Sequence, residues 1–309
     1  MRHVLKTLLT TLVALAVCGL ANAQKPTPDE ELALAALEGL MAQPNERALP
    51  ILKKVLAGPQ TTLVKQRALF VLSQMNSPEA QQILTQAARS KDSALRGEAI
   101  RNIGIGGNSQ SLDALQDVYN TGDSAVKQDV LQAWLIAGRK ESVYQVALNA
   151  KTEEEAGNAI RMLGAMGATE ELRKLGDRPN APTGLLEAYA VSGDLESLRK
   201  LAEGNGDRSI RIEATRRIGI INGEAAHVAL REIYARTTDA EIREAALQGM
   251  LIAGDEKGVL AVYRAAKSSE EKRTLLRILS TMDGDAVLQE IDAALEGGTP
   301  AAKTQEQKK

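Results

Sequence analysis

The 309-residue sequence predicts an all-α fold, an α-α superhelix built as a solenoid of about nine stacked helical hairpins. Three observations carry that prediction. Four segments are self-similar: "DSALRGEAIRNIGIGG", "DSAVKQDVLQAWLIAG", "DRSIRIEATRRIGIIN" and "DAEIREAALQGMLIAG". In each, Asp is followed by an aliphatic residue and then Arg or Lys, with apolar positions 3, 4 and 4 residues apart, a helical period and not a strand period. A column of Gly, Asn or Asp recurs every 26 to 32 residues, at 45, 76, 107, 138, 167, 193, 222, 254 and 283. Finally, aromatics make up 2% of the chain, so the core must be close-packed alanine and leucine, which suits helix on helix.

The elements follow in chain order. Residues 1–23 read as a cleaved secretory signal: Arg2, His3 and Lys6 form a positive start, "LLTTLVALAVCGL" is apolar, and "ANA" is a small-x-small cleavage site. Anchoring as a lipoprotein through Cys18 is disfavoured, because Val17 is not the small residue such a site needs. Cleavage removes the one cysteine and, with Arg2 and Lys6, takes the net charge from −2 to −4. That excludes disulfides, thiol nucleophiles and thiolate metal sites, and an acidic chain without a basic run is not a nucleic-acid binder. The implied location is periplasmic or secreted. Residues 24–28 are a short linker, 29–296 the repeat array and 297–309 a polar, disordered tail after the helix-breaking Gly297, Gly298 and Pro300.

Within the array, the Gly/Asn/Asp column marks helix ends, since these residues tolerate a left-handed backbone that costs most others roughly 1–2 kcal/mol. Four residues earlier stand Met41, Leu72, Ile103, Trp134, Leu163, Tyr189, Ile218, Met250 and Leu279. Eight earlier stand Leu37, Ala68, Ala99, Val130, Ala159, Leu185, Ala214, Ala246 and Leu275. Both columns are core: small residues let neighbouring helices approach and larger ones fill between layers. Helices of about ten residues, such as "SLDALQDVY", "AAHVALREIY" and "AVLQEIDAAL", run between them and complete the hairpins. Stacking buries a continuous core that no single hairpin could bury.

The pattern resembles the HEAT-repeat family, in its short form related to the repeats of phycobilisome lyases. Asp92/Leu95-Arg96, Asp123/Val126-Lys127, Asp207/Ile210-Arg211 and Asp239/Ile242-Arg243 carry the resemblance. It extends over roughly 29–296 and degenerates around 152–193, where Ala156 and Pro182 stand in place of the basic residue. It implies that each Asp caps an inner helix and that each basic residue bridges neighbouring repeats, a structural ladder, with the weak units as a bend or softer joint. For function it implies only a scaffold.

Chemistry-bearing patterns fare poorly. "NIGIGGNS" (102–109) looks like a phosphate loop, but a dinucleotide fingerprint needs a strand before it and glycine at 109, which is Ser. Gly107 belongs to the helix-ending column, and Gly104 aligns with Gly164 and Gly219 as points of close helix approach. The HEAT-fold di-iron hydroxylases carry repeated His-Glu pairs; here His227 is the one histidine left after cleavage, so no metal or cofactor is expected. Glu153, Glu154 and Glu155 open a helix, where the dipole favours negative charge. Trp134 reads as core, and serine nucleophiles lack an elbow motif and a histidine partner.

A binding surface is the remaining candidate. Six residues before the helix-ending column, the polar residues include Arg101, Gln132, Arg161, Arg216, Gln248 and Arg277, and four further on come Ile105, Ile136, Ile220 and Ile252. At 100° per residue both sets point away from the core, and the resemblance implies that they line the concave side. A polar row beside an aliphatic row suits a protein or extended peptide, bound by a monomer. The alternatives are that the isoleucines pack against the next hairpin's turn while the arginines pair with Glu98, Asp129 and Glu213 three residues earlier on each helix, which would leave a mere spacer. A carboxylate-dependent enzyme or enzyme accessory acting on an envelope substrate is the second functional reading; a cleft holding two buried, unpaired carboxylates would favour it. The helix-end reading itself is testable. Gly138→Val should destabilise the array by roughly 1–2 kcal/mol, and an unchanged melting curve would show the register to be wrong.

Overall fold

A computed structural model describes residues 25–178, 184–221, 223–282 and 284–295. The signal sequence, Cys18, the tail, Pro182 and the column members Asn222 and Asp283 lie outside the described residues. Eighteen helices are present among those described. The inner series is α1 (Pro28–Leu40), α3 (Thr62–Ser73), α5 (Ser93–Gly106), α7 (Ser124–Ile136), α9 (Glu153–Ala165), α11 (Leu185–Ser192), α13 (Arg208–Ile218), α15 (Ala240–Ile252) and α17 (Ser269–Leu279). The outer series alternates with it: α2 (Asn45–Ala57), α4 (Pro78–Ala87), α6 (Ser109–Thr121), α8 (Lys140–Asn149), α10 (Thr169–Gly176), α12 (Leu195–Glu203), α14 (Glu224–Arg236), α16 (Glu256–Ala265) and α18 (Asp285–Leu295). Nine hairpins of the predicted kind result. The weak stretch holds the two shortest helices, α10 and α11, at eight residues each.

Two compact units divide the chain, Met1–Ala133 and Trp134–Lys309. In the first, α1, α3 and α5 pack in succession as one layer and α4 packs on α6 in the other. In the second, α9, α11, α13 and α15 form the inner layer, with α8 on α10 and α12 on α14 outside it.

Local chemistry explains where each helix starts. Asp92 accepts from the Ala94 and Leu95 amides at 3.0 and 3.2 Å, Asp123 from Val126 at 2.9 Å, and Asp239 from Glu241 and Ile242 at 3.0 and 3.3 Å. Asp207 accepts from Ser209 at 2.7 Å. Each side chain satisfies amides that the first turn leaves without partners, worth about 1 kcal/mol per cap. The basic partners reach the preceding hairpin, as the resemblance implied. Arg96 Nη1 donates to the Ser90 carbonyl at 3.2 Å and Arg211 Nε to the Ala202 carbonyl at 3.3 Å. Arg243 Nη2 joins Tyr234 Oη (2.8 Å) behind it to Glu271 (3.2 Å) ahead.

Five of the predicted helix ends are left-handed glycines: Gly107, Gly138, Gly167, Gly193 and Gly254 have φ between 60° and 76°. After four of them the next amide bonds back five residues, as in Arg139 N to Trp134 O at 2.8 Å. Asn45 and Asn76 do not fit: no described non-glycine residue has positive φ. Asn45 instead starts α2, and α3 closes through Gln74 in a right-handed cap. In these first hairpins the side chain at the column position carries a Cβ, so the chain turns without entering the left-handed region.

The core columns are buried, with one exception. Met41, the cap residue after α1 ends at Leu40, is half-exposed. Trp134 is fully buried. Gly104, Gly164 and Gly219 lie where successive inner helices touch. A Cβ at Gly104 would sit 2.8 Å from Ala133 Cα, one at Gly164 3.0 Å from Ala188 Cα, and one at Gly219 2.6 Å from Gly249 Cα. Gly219→Ala should therefore cost about 2–3 kcal/mol in urea unfolding, since backbone has no rotamer to yield with. Gly206→Ala, into open space, should cost almost nothing; equal effects would contradict the close approach.

Candidate interaction face of the inner helices

The structure turns the predicted rows away from the core. In the first unit, Ile105 on α5 is 51% exposed, and Arg101 pairs with Glu98 at 3.2 Å on the same helix. Gln132 on α7 is exposed. In the second unit Ile136, Val191, Ile220 and Ile252 are between 41% and 56% exposed, and Ala165 completes the row on α9. None of the four isoleucines is buried by a neighbouring turn. Ile105, Ile136 and Ile252 stand in the last turns of α5, α7 and α15, and Ile220 stands just past the end of α13.

The arginine alternative holds for half of the row. Arg216 Nη1 donates to Glu213 at 2.7 Å and Nε to Gln248 Oε1 at 2.9 Å, while Gln248 Nε2 donates to Glu244 at 3.2 Å. Arg217 Nε also donates to Glu213, at 2.7 Å. The Arg217 bond is the main reason that the Glu213 carboxyl lies below its usual pKa, with Arg216 adding to it against a burial penalty. Arg161 bonds Asn158 on its own helix, and Arg277 on α17 is exposed. The polar row is thus partly consumed by its own helices, and the aliphatic row is not.

The sequence reading missed a second set of polar contacts, which ties the outer layer of the second unit. Asp194 caps α12 and is buried; it accepts from Arg173 Nε and Nη2 of α10 at 2.7 and 2.6 Å and from Ser197 Oγ at 2.7 Å. Asp255 repeats this at α16, accepting from Arg231 Nε of α14 at 2.7 Å and from the Gly258 amide at 3.0 Å. Glu290 of α18, also buried, accepts from Arg264 of α16 at 2.6 Å. Burial raises the pKa of Asp194 and Asp255, but their arginine and amide bonds outweigh it and hold both below the usual carboxylate value. The legible sign was an Asp directly after a helix-ending glycine, in Gly193-Asp194 and Gly254-Asp255.

These contacts bear on chemistry. The buried carboxylates of the described residues are each bound to an arginine, an arrangement that suits a joint better than a general acid. Burial, then the charge of Asp194, pushes the Tyr189 phenol to about 12. His227 is half-buried, with Nε2 3.2 Å from the Ala253 carbonyl and Nδ1 3.6 Å from Glu224. No group of residues able to hold a metal ion occurs among the described residues, nor does a helix long and apolar enough to cross a membrane. A cavity of about 630 Å³ opens among α10, α11, α12 and α13, floored by Leu185, Tyr189, Leu201 and Ile210. Its rim charges pair with one another, Arg173 with Glu196 at 2.9 Å and Lys200 with Asp177 at 3.8 Å.

Residues 59–134, from the turn before α3 into α7, match the family of HEAT repeats. No curated protein matches the sequence. Among solved structures, human deoxyhypusine hydroxylase in complex with glycerol is similar at 18% identity, over 87% of this chain and 92% of its own, with a TM-score of 0.33. The complex of CpcE and CpcF of phycocyanin lyase from Nostoc sp. is similar at 17% identity, over 85% and 97%, with a TM-score of 0.34. An engineered protein is similar at 17% identity, over 88% and 90%, with a TM-score of 0.29.

The buried rungs give a pH-dependent expectation. Asp255→Asn should cost about 2 kcal/mol at pH 7 in urea unfolding, because the half-exposed Arg231 loses its counter-charge. The native pKa of Asp255 is depressed, so its ionised form stabilises above the ordinary 3.8 and that contribution fades as pH falls through the native value. The gap between variant and parent should shrink below pH 4; a gap constant from pH 7 to 3 would contradict the assignment.

Proposed function

We propose that this HEAT-like repeat array is a non-catalytic binding scaffold of the bacterial cell envelope, which holds a protein or peptide along the exposed face of its inner helices. One observation carries the reading: every inner helix from α9 to α15 leaves one aliphatic residue bare at the same register, Ala165, Val191, Ile220 and Ile252. Single exposed apolar residues are ordinary, but a row repeated at one register across packed helices is the kind of surface that marks an interaction site. The positive, apolar, small-residue order of residues 1–23 supports export, and the ion-paired state of the buried carboxylates supports a binding role over catalysis.

A photo-crosslinking residue at Val191 should give a discrete adduct in the periplasmic fraction of the native host, and one at Ala261 on the exposed side of outer helix α16 should give none. Ile220→Asp should remove most of the Val191 adduct while leaving the fold intact. Adducts equal at both positions, or unchanged by Ile220→Asp, would show that this face is not the site.

A further inference from the structure

We infer that Asn205 is a site of spontaneous self-modification, where the peptide nitrogen of Gly206 displaces the side-chain amide and leaves aspartate and isoaspartate in the joint between α12 and α13. This is independent of the binding role proposed above: the joint lies at the N-terminal end of α13, whereas Ile220 of the aliphatic row lies past its C-terminal end.

The first ground is access to the attacking atom. Gly204, Asn205 and Gly206 form a bend between Glu203, which ends α12, and the start of α13 at Arg208. Glycines stand on both sides of Asn205, so no neighbouring Cβ restricts the backbone or crowds the Gly206 nitrogen. Asn205 and Gly206 are both exposed, and among the described residues no hydrogen bond engages the Asn205 amide or the Gly206 N–H. A Cβ built at Gly206 would meet nothing within 4 Å, so the space around this peptide is open.

Contrast with the other asparagines is the second ground. Among those described, Asn205 alone precedes glycine. Asn108, before Ser109, accepts from the Ser111 amide at 3.1 Å as the cap of α6. Asn76 precedes Ser77, whose N–H donates to the Met75 carbonyl at 2.9 Å. In the first the side chain is tied to the helix start, and in the second the attacking nitrogen is already committed.

The chemistry needs only water. Gly206 N bonds to Asn205 Cγ, the Cγ–Nδ2 bond breaks, and Nδ2 leaves as ammonia with the proton that Gly206 N gives up. One water then opens the cyclic imide. Opening at Cγ gives aspartate, and opening at the main-chain carbonyl gives isoaspartate, whose chain continues through Cγ. Either product places a carboxylate near Asp207, which caps α13 through Ser209 N and Oγ at 2.7 and 2.6 Å. The isoaspartate route also lengthens the main chain by a methylene inside a pinned joint, because Arg211 Nε donates across it to the Ala202 carbonyl at 3.3 Å.

Peptide mapping by mass spectrometry, after incubating the full chain at pH 8 and 37 °C, tests this. The peptide holding Asn205 should gain the mass difference between an amide and a carboxyl, with isoaspartate detected by enzymatic methylation. The peptides holding Asn76 and Asn108 should stay intact over the same period; Asn222, outside the described residues, is mapped separately. Gly206→Ala, which points into open space and should fold, should slow conversion at least about tenfold, because a Cβ crowds the nitrogen and narrows the backbone angles. Unfolding in guanidinium chloride should accelerate Asn108 strongly and Asn205 little, since only Asn108 loses a hydrogen bond. An Asn205 amide that outlasts that of Asn76 or Asn108 would overturn the inference. So would conversion equally fast in Gly206→Ala, or unfolding that accelerates Asn205 as much as Asn108.

Discussion

Backbone contact between successive inner helices is the constraint on which each unit depends. A hairpin whose core residues are alanine, valine and leucine buries too little surface alone, and its neighbours must come close enough for those short side chains to touch. Gly104, Gly164 and Gly219 permit that approach, each facing an alanine or glycine of the next inner helix. Capping aspartates and left-handed glycines then fix where each helix begins and ends, so that every hairpin offers the same faces to the next. Once the spacing is set, any residue repeated at one register becomes a row, and the aliphatic row of α9 to α15 is its direct geometric product.

The polar contacts divide between the layers. On the inner side, bonds run both within a helix, three or four residues apart, and from one helix to the next, as Arg216 does to Gln248 and Arg208 to Asp239. On the outer side of the second unit they run from helix to helix: Arg173 to Asp194, Arg231 to Asp255 and Arg264 to Glu290. A buried carboxylate held by a half-exposed arginine resists separation of its helices, because parting them would strand a charge in an apolar layer. The outer layer of the second unit thus adds buried rungs to the exposed ones that join inner helices, such as Arg208 to Asp239.

Much of this was legible in the sequence, and the reasons for the rest are physical. The hairpin period, the buried columns and the glycine ends each depend on one residue type at one register, which a single sequence displays directly. Asn45 and Asn76 misled because asparagine tolerates the left-handed region without requiring it, whereas a glycine at φ near 65° has little competition. The outer rungs were hidden because Arg231 and Asp255 stand 24 residues apart and Arg173 and Asp194 stand 21 apart, so no constant offset reveals them. For the candidate face, periodicity located both rows, but only coordinates separate an arginine that salt-bridges its own helix from an isoleucine left bare.

That separation bears on what the face can discriminate. Guanidinium groups already held by Glu213 and Gln248 are pre-ordered, so a partner meeting them does not bear the full entropy of fixing long side chains. They also cannot be strongly attracted to acidic partners at large, because their charge is partly neutralised where they stand. On the binding role proposed above, selectivity rests on where the bare aliphatic side chains stand, one at the same register of each hairpin from α9 to α15. A longer array extends that row with each added repeat, which is how a weak contact of one aliphatic residue per hairpin can become a selective one over four.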